Sequence, residues 1–236
     1  MEFEYDVNSK KDCWYREICD KSKCGENDFC VRHYKMSALT QMACMEGNLK
    51  YAIPLKPDKC DYSAFVTLRE IKDNINSFVK KGGNLLIYSK NTGNGKSEWA
   101  KKLILSWFNS IWSSTDFECR GLFISFPKLV FAMKENISKP NEYYEYVNQN
   151  LANCDLVVWD EINFKDWTPF EQDYMLNVLS QRLFTGKSNI YTTNYGLEDI
   201  ENKLGTRLAS RIVGSSELVE FQGSDKRCLV RGDNNG

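Results

Sequence analysis

The chain has 236 residues, 42% of them hydrophobic, with 31 Lys and Arg against 32 Asp and Glu and a formal net charge of -1. That length suits one α/β domain with a small appendage. The balanced charge excludes a globally basic nucleic-acid binder, so any DNA contact has to come from a local patch. No apolar run approaches the ~18 residues of a membrane span, and the N-terminus lacks the charged-then-apolar layout of a secretion signal. The nine cysteines are therefore expected in a reducing cytoplasm.

In chain order, residues 1–52 read as a Cys-rich N-terminal unit. Cys13, Cys19, Cys24 and Cys30, with His33 as a substitute ligand, could enclose a tetrahedral zinc ion in a segment too short to bury much core. None of the spacings is C-x2-C, and free buried thiols in a small helical unit are the alternative reading. Residues 53–66, around Pro54 and Pro57, read as a linker, and 67–236 as the main domain. Leu68, Ile71, Ile75, Phe78 and Val79 fall on one stripe and predict a single helix, stopped by Gly82 and Gly83. NLLIY at 84–88 predicts a buried parallel strand, followed by a glycine loop and a helix with Trp99, Leu103 and Trp107 on its buried face. A strand at 121–126 leads into a helix with Pro127 in its first turn, whose Leu129, Val130 and Met133 face the core. Further strands are expected at 156–159, 188–193 and 217–221, with a long helix from Pro169 to Phe184. Strands and helices alternating in this way predict an α/β fold with a five-stranded parallel sheet flanked by helices.

The first strand runs into SKNTGNGKS. Thr92, Gly93, Asn94, Gly95, Lys96 and Ser97 form the core of a phosphate-binding loop. Glycines let backbone N–H groups wrap phosphates, Lys96 would neutralise the β/γ-phosphates, and Ser97 would ligate Mg²⁺. Lys90 stands where the usual loop has its first glycine, so either strain at Lys90 or a different entry into the loop is expected. LVVWDE ends a buried strand in Asp160, suited to Mg²⁺, and Glu161, suited to activating water. A helix-capping pair is the bland alternative. Asn194 closes another strand at the end where ligands bind in parallel sheets. Lys128, Lys134 and Lys139, interleaved with Phe131, Tyr143 and Tyr144, could meet a single strand by stacking and charge.

NLLIYSKNTGNGKSEWA, LVVWDE, YTTN and KLGTRLASRIVGSSELVEFQGSDKR occur in the order found in DnaC/DnaI-type AAA+ helicase loaders, and the chain resembles that family over residues 60–228. The N-terminal segment looks most like phage-encoded loaders. The resemblance implies a P-loop AAA+ ATPase with a minimal lid, using ATP and Mg²⁺. It implies a replicative hexameric helicase and single-stranded DNA as partners. On this likeness Asn194 matches sensor 1, and Arg211 (or Arg207) the arginine finger through which copies assemble. Arg227 matches the sensor 2 arginine. A transposition helper of the IstB type, acting on duplex DNA with a transposase, is the alternative. A small-molecule phosphotransferase would need a substrate lid and no LGTRLASR segment.

Overall fold

The computed structural model describes Cys13 and residues 30–45, 55–163 and 168–226. Five parallel strands, β1 (Asn84–Tyr88), β2 (Gly121–Ser125), β3 (Leu156–Asp160), β4 (Ser188–Thr193) and β5 (Glu217–Glu220), form one sheet in the order β2-β3-β4-β1-β5. All five expected strands are present, with ends shifted by at most one residue. Successive side chains point to opposite faces, and this divides the core in two. Leu85 and Ile87 of β1, Phe123 of β2 and Val158 of β3 pack beneath α1 (Val31–Met42), α2 (Tyr62–Asp73), α3 (Ile75–Lys80) and α4 (Lys96–Ile111). Leu86, Leu122, Trp159 and Tyr191 pack with α5 (Phe126–Ser138), α6 (Glu142–Leu151), α7 (Pro169–Phe184), α8 (Leu197–Leu204) and α9 (Thr206–Ser215) on the other face. Among the described residues no helix is long and apolar enough to cross a membrane.

Helices α6, α8 and α9 are additional to those expected, and three expected features take another form. The single helix over 68–79 is two helices: Asn74, at φ -108° and ψ 22°, ends α2, and its side chain donates to Glu70 O at 3.0 Å. Asparagine bonds its own preceding turn readily, which periodicity alone does not reveal. Helix α2 starts at Tyr62, inside the expected linker. Residues 31–45 do not stand apart in an N-terminal unit. Met36, Leu39, Ala43 and Met45 join the α4 core, and Ala43 O accepts the Phe123 N–H at 2.8 Å. That bond covers the outer edge of β2, a strand edge that would otherwise present unpaired backbone. Residues 1–12, 14–29 and 46–54 lie outside the described residues.

Two buried polar groups tie the layers together. Arg182 on α7 is fully buried and donates to Asn189 Oδ1 (2.8 Å), Cys154 O (3.0 Å) and Ser188 O (2.6 Å). Its burial pushes the guanidinium pKa down, a cost offset by these acceptors. At the other end of the sheet Asp61, fully buried, accepts the N–H groups of Gln222 (2.7 Å) and Gly223 (3.1 Å). Gly223 is required there, because a Cβ would lie 2.3 Å from both the Asp58 and Asp61 carboxylates. Replacing Asp61 with Ala strands the buried Gly223 donor, worth about 1–3 kcal/mol unpaired, and breaks a second bond at the exposed Gln222. Asp61→Ala is therefore expected to lower the unfolding free energy by about 2–5 kcal/mol, checked by urea denaturation; a loss under 1 kcal/mol would contradict this account.

Candidate nucleotide-binding site

The loop from β1 to α4 sits at the carboxyl ends of the strands, in the middle of the sheet. Gly93 and Gly95 take left-handed conformations with φ 69° and 105°. A Cβ at Gly93 would lie 1.9 Å from Asp225 Oδ1, and one at Gly95 would lie 2.6 Å from Leu55 Cδ1. Only glycine fits either position. The strain anticipated at Lys90 is absent: it does not adopt the left-handed region, and its exposed ammonium pairs with Glu198. The loop enters instead through Ser89, whose Oγ accepts from Asn91 N (3.0 Å) and Asn94 Nδ2 (2.8 Å). Lys96 is buried and donates to Asn91 O (2.7 Å) and Asn94 Oδ1 (3.1 Å). Thr92 is exposed at the tip.

The acidic segment meets this loop. Asp160 ends β3; the Thr192 hydroxyl donates to it at 2.6 Å, and the Ser97 hydroxyl also favours its charged form. Burial pushes the Asp160 carboxyl above the ordinary carboxylate range, against the downward pull of those two hydroxyls. A buried carboxylate beside a serine hydroxyl is a hard-oxygen donor set that fits Mg²⁺. Glu161 is exposed and left-handed, with φ 60°, and its N–H donates to Thr192 Oγ1 at 2.9 Å. Non-glycine residues in that region carry strain and concentrate at functional sites.

Asn194 is half-buried beyond β4, and its backbone N–H donates to Asn163 Oδ1 at 2.5 Å. Arg211 on α9 donates to Ser180 Oγ on α7 (2.7 Å) and to Arg207 O (3.3 Å), while Arg207 is exposed. Arg227 lies outside the described residues, as do Cys19 and Cys24. Cys13 and Cys30 are half-buried free thiols and His33 is buried on α1. Among the described residues no group of three His, Cys, Asp or Glu could hold a metal ion. Sequence reasoning missed Thr192 and Asn163. The one available signal was the period-two YTTN pattern, which turns adjacent hydroxyls to opposite faces.

No protein-family model matches the chain, and no curated protein matches it. Solved structures do. The chain is similar to the DnaC helicase loader at TM-score 0.58 and 20% identity, covering 71% of this chain and 94% of that one. DnaI is similar at TM-score 0.55 and 15% identity, over 71% of this chain and 87% of DnaI. The replication initiator DnaA bound to AMPPCP and single-stranded DNA is similar at TM-score 0.55 and 17% identity, over 74% of this chain and 49% of DnaA. The chain has the fold of the helicase loaders. At these identities the likeness is one of architecture, and the argument for a nucleotide rests on the residues themselves.

The geometry makes two expectations. Lys96→Ala removes the loop's buried cation and should reduce ATP affinity at least 100-fold by isothermal titration; undiminished affinity would refute the site. Asp160→Asn should raise the thermal midpoint of the nucleotide-free protein at neutral pH. A raised folded-state pKa favours the protonated form, so the charged Asp160 costs stability as pH rises through that value. The gain should vanish at acid pH, where Asp160 is protonated in both states, as differential scanning fluorimetry across pH would register.

Proposed function

We propose that this chain is an ATP-dependent loader of a replicative hexameric helicase onto single-stranded DNA, with nucleotide binding and hydrolysis as the switch. The observation that carries the reading is the left-handed Gly93–Gly95 loop closed around the buried Lys96, with the buried Asp160 ending a strand of the same parallel sheet, within a fold shared with helicase loaders. Loop N–H groups and Lys96 hold the β- and γ-phosphates, and Ser97 and Asp160 hold Mg²⁺. The bound ion supplies neutralisation of the charge that develops on the phosphoryl oxygens. Glu161 orients and deprotonates water at the γ-phosphate, Asn194 contacts that phosphate, and Arg211 reaches the site of a neighbouring copy. Arg227 serves the bound nucleotide, and zinc on Cys13, Cys19, Cys24 and Cys30 stabilises the N-terminal segment; elemental analysis finding no zinc would remove that last part.

One patch on α5 and α6 has the chemistry to face a single strand. Phe131 is 64% exposed on α5, Lys134 beside it pairs with Glu171 at 3.2 Å, and Lys128 lies 4.3 Å from the Tyr143 ring centroid. Leu129, Val130 and Met133 face inward as expected. An exposed aromatic among lysines offers stacking and charge to an unpaired strand. Phe131→Ala should weaken binding of a labelled oligo-dT roughly 5- to 150-fold, the equivalent of about 1–3 kcal/mol of stacking, while leaving ATP affinity intact. Fluorescence anisotropy decides it, and unchanged binding would move the DNA surface elsewhere. The function itself is tested by pull-down of the replicative helicase with and without ATP and single-stranded DNA. Capture of a transposase with duplex DNA, and of no helicase, would refute the loader reading.

A further inference from the structure

The sheet order separates the two halves of the candidate site. The phosphate loop follows β1 and the acidic pair follows β3, and β4 lies between those strands. Whatever aligns the halves across that gap must therefore come in part from β4. On the loop side Thr193 O accepts the Ser89 N–H at 3.2 Å, and on the acidic side the end of β4 and the residues just after it make six bonds to residues 160–163. Thr192 is 1% exposed; its hydroxyl donates to Asp160 Oδ1 (2.6 Å) and accepts the Glu161 N–H (2.9 Å). Thr193, whose side chain alternates to the other face, donates through Oγ1 to Asn163 Oδ1 at 2.9 Å. The same Asn163 oxygen accepts the Asn194 N–H at 2.5 Å. Asn163 O further accepts the Tyr195 hydroxyl at 2.7 Å, and the Ile162 N–H donates to Thr192 O at 3.0 Å.

We infer that Thr192 and Asn163 are positioning residues for ATP hydrolysis, Thr192 aligning the magnesium ligand Asp160 with the strained Glu161, and Asn163 fixing Asn194 relative to both. The inference rests on the nucleotide reading of this site. The physical argument is one of valence. A threonine hydroxyl has one proton and two acceptor lone pairs. With its proton committed to Asp160 and a lone pair to the Glu161 N–H, it sets the orientation of two successive acidic residues at once. Without that acceptor, the left-handed turn at Glu161 loses a bond holding it against its intrinsic strain. Asn163 acts on the other side. Its amide oxygen takes two donors from consecutive residues of β4's end, so the sensor position cannot move without breaking both. Each residue acts through others and touches no substrate, and the two should fail differently.

The test uses the full chain and its Thr192→Val, Thr192→Ser and Asn163→Ala variants. Thermal melts first establish that each folds. Affinity for mant-ATP is measured in EDTA and again in Mg²⁺, and hydrolysis is followed in single turnover. Thr192→Val should bind mant-ATP in EDTA as the unaltered chain does, because the phosphate loop keeps its bonds. Its gain in affinity on adding Mg²⁺ should fall roughly tenfold, and hydrolysis roughly 10- to 100-fold, the scale seen when a partner of a metal ligand is removed. Thr192→Ser, which restores the hydroxyl, should recover both. Asn163→Ala should keep the Mg²⁺ gain and lose hydrolysis by a similar factor. A Thr192→Val chain with undiminished Mg²⁺ gain and hydrolysis would overturn the inference. So would equal losses in Thr192→Val and Thr192→Ser, since the effect would then be one of packing. Failure of the unaltered chain to bind mant-ATP at all would instead sink the nucleotide reading, and this inference with it.

Discussion

A buried ammonium group, that of Lys96, organises the loop between β1 and α4. An unpaired cation cannot sit in so dry a place, and the loop answers by supplying Asn91 O and Asn94 Oδ1 as acceptors for Lys96. Asn94, itself fully buried, then spends its amide N–H on Ser89 Oγ. These bonds close the loop on itself. On the proposed nucleotide reading, an arriving phosphate would only have to exchange one set of acceptors for a better-charged one, so much of the ordering cost of binding would be met during folding. The exchange also explains why asparagine suits position 94: its oxygen faces the ammonium while its nitrogen holds the loop's entry.

The loop does not keep that shape unaided. Residues 55–61 press from one side, with Leu55 against Gly95. Residues 221–226 press from another, with the Asn91 amide bonded to Gln222 O, Lys226 N–H bonded to Gly93 O, and Asp225 against Gly93. The two flanking segments bind each other through Asp61 and through Lys226, whose ammonium donates to Lys56 O at 2.7 Å. Phe65 carries the link into the core, stacked on Phe221 and edge-on to Trp99 of α4. Residues 55–61 and 221–226 thus converge on the phosphate loop. Asp61 is remote from the site in sequence and coupled to it in space.

What was legible in the sequence follows from what is local. Strands β1, β2 and β3 announce themselves as short apolar runs, and the phosphate loop and the Asp160–Glu161 pair lie within single contiguous segments. Helix α7 carries Thr168 and Glu171 as a capping box, both bonds present, a signal readable three residues apart. The break at Asn74 was hidden because the apolar stripe runs straight across it. Helix α6 was hidden by a polar, tyrosine-rich sequence whose buried face is only Val147 and Leu151. The docking of residues 31–45 depends on the uncovered edge of β2, a fact of topology that no local window contains. Thr192, Asn163 and Arg182 are likewise ordinary residues until the sheet order places their partners beside them.

The arginines show where the argument from a single chain changes character. Arg211 meets only neutral oxygens among its recorded partners, the Ser180 hydroxyl and the Arg207 carbonyl, so no carboxylate within the described residues neutralises it there. Such bonds, from a charged donor to a neutral acceptor, contribute about 1.5–3 kcal/mol each, whereas a guanidinium facing a phosphate adds full charge pairing and two-pronged geometry. A neighbour presenting a triphosphate would therefore outcompete Ser180 without unfolding α9, whose inner face is fixed by Leu208, Ala209 and Ile212. Arg207, exposed on the same helix, lacks this prior orientation and would lose more side-chain freedom in making the same contact. Preorganisation by α7 thus favours Arg211 over Arg207 as a donor to a neighbouring copy on physical grounds, independent of any likeness to helicase loaders.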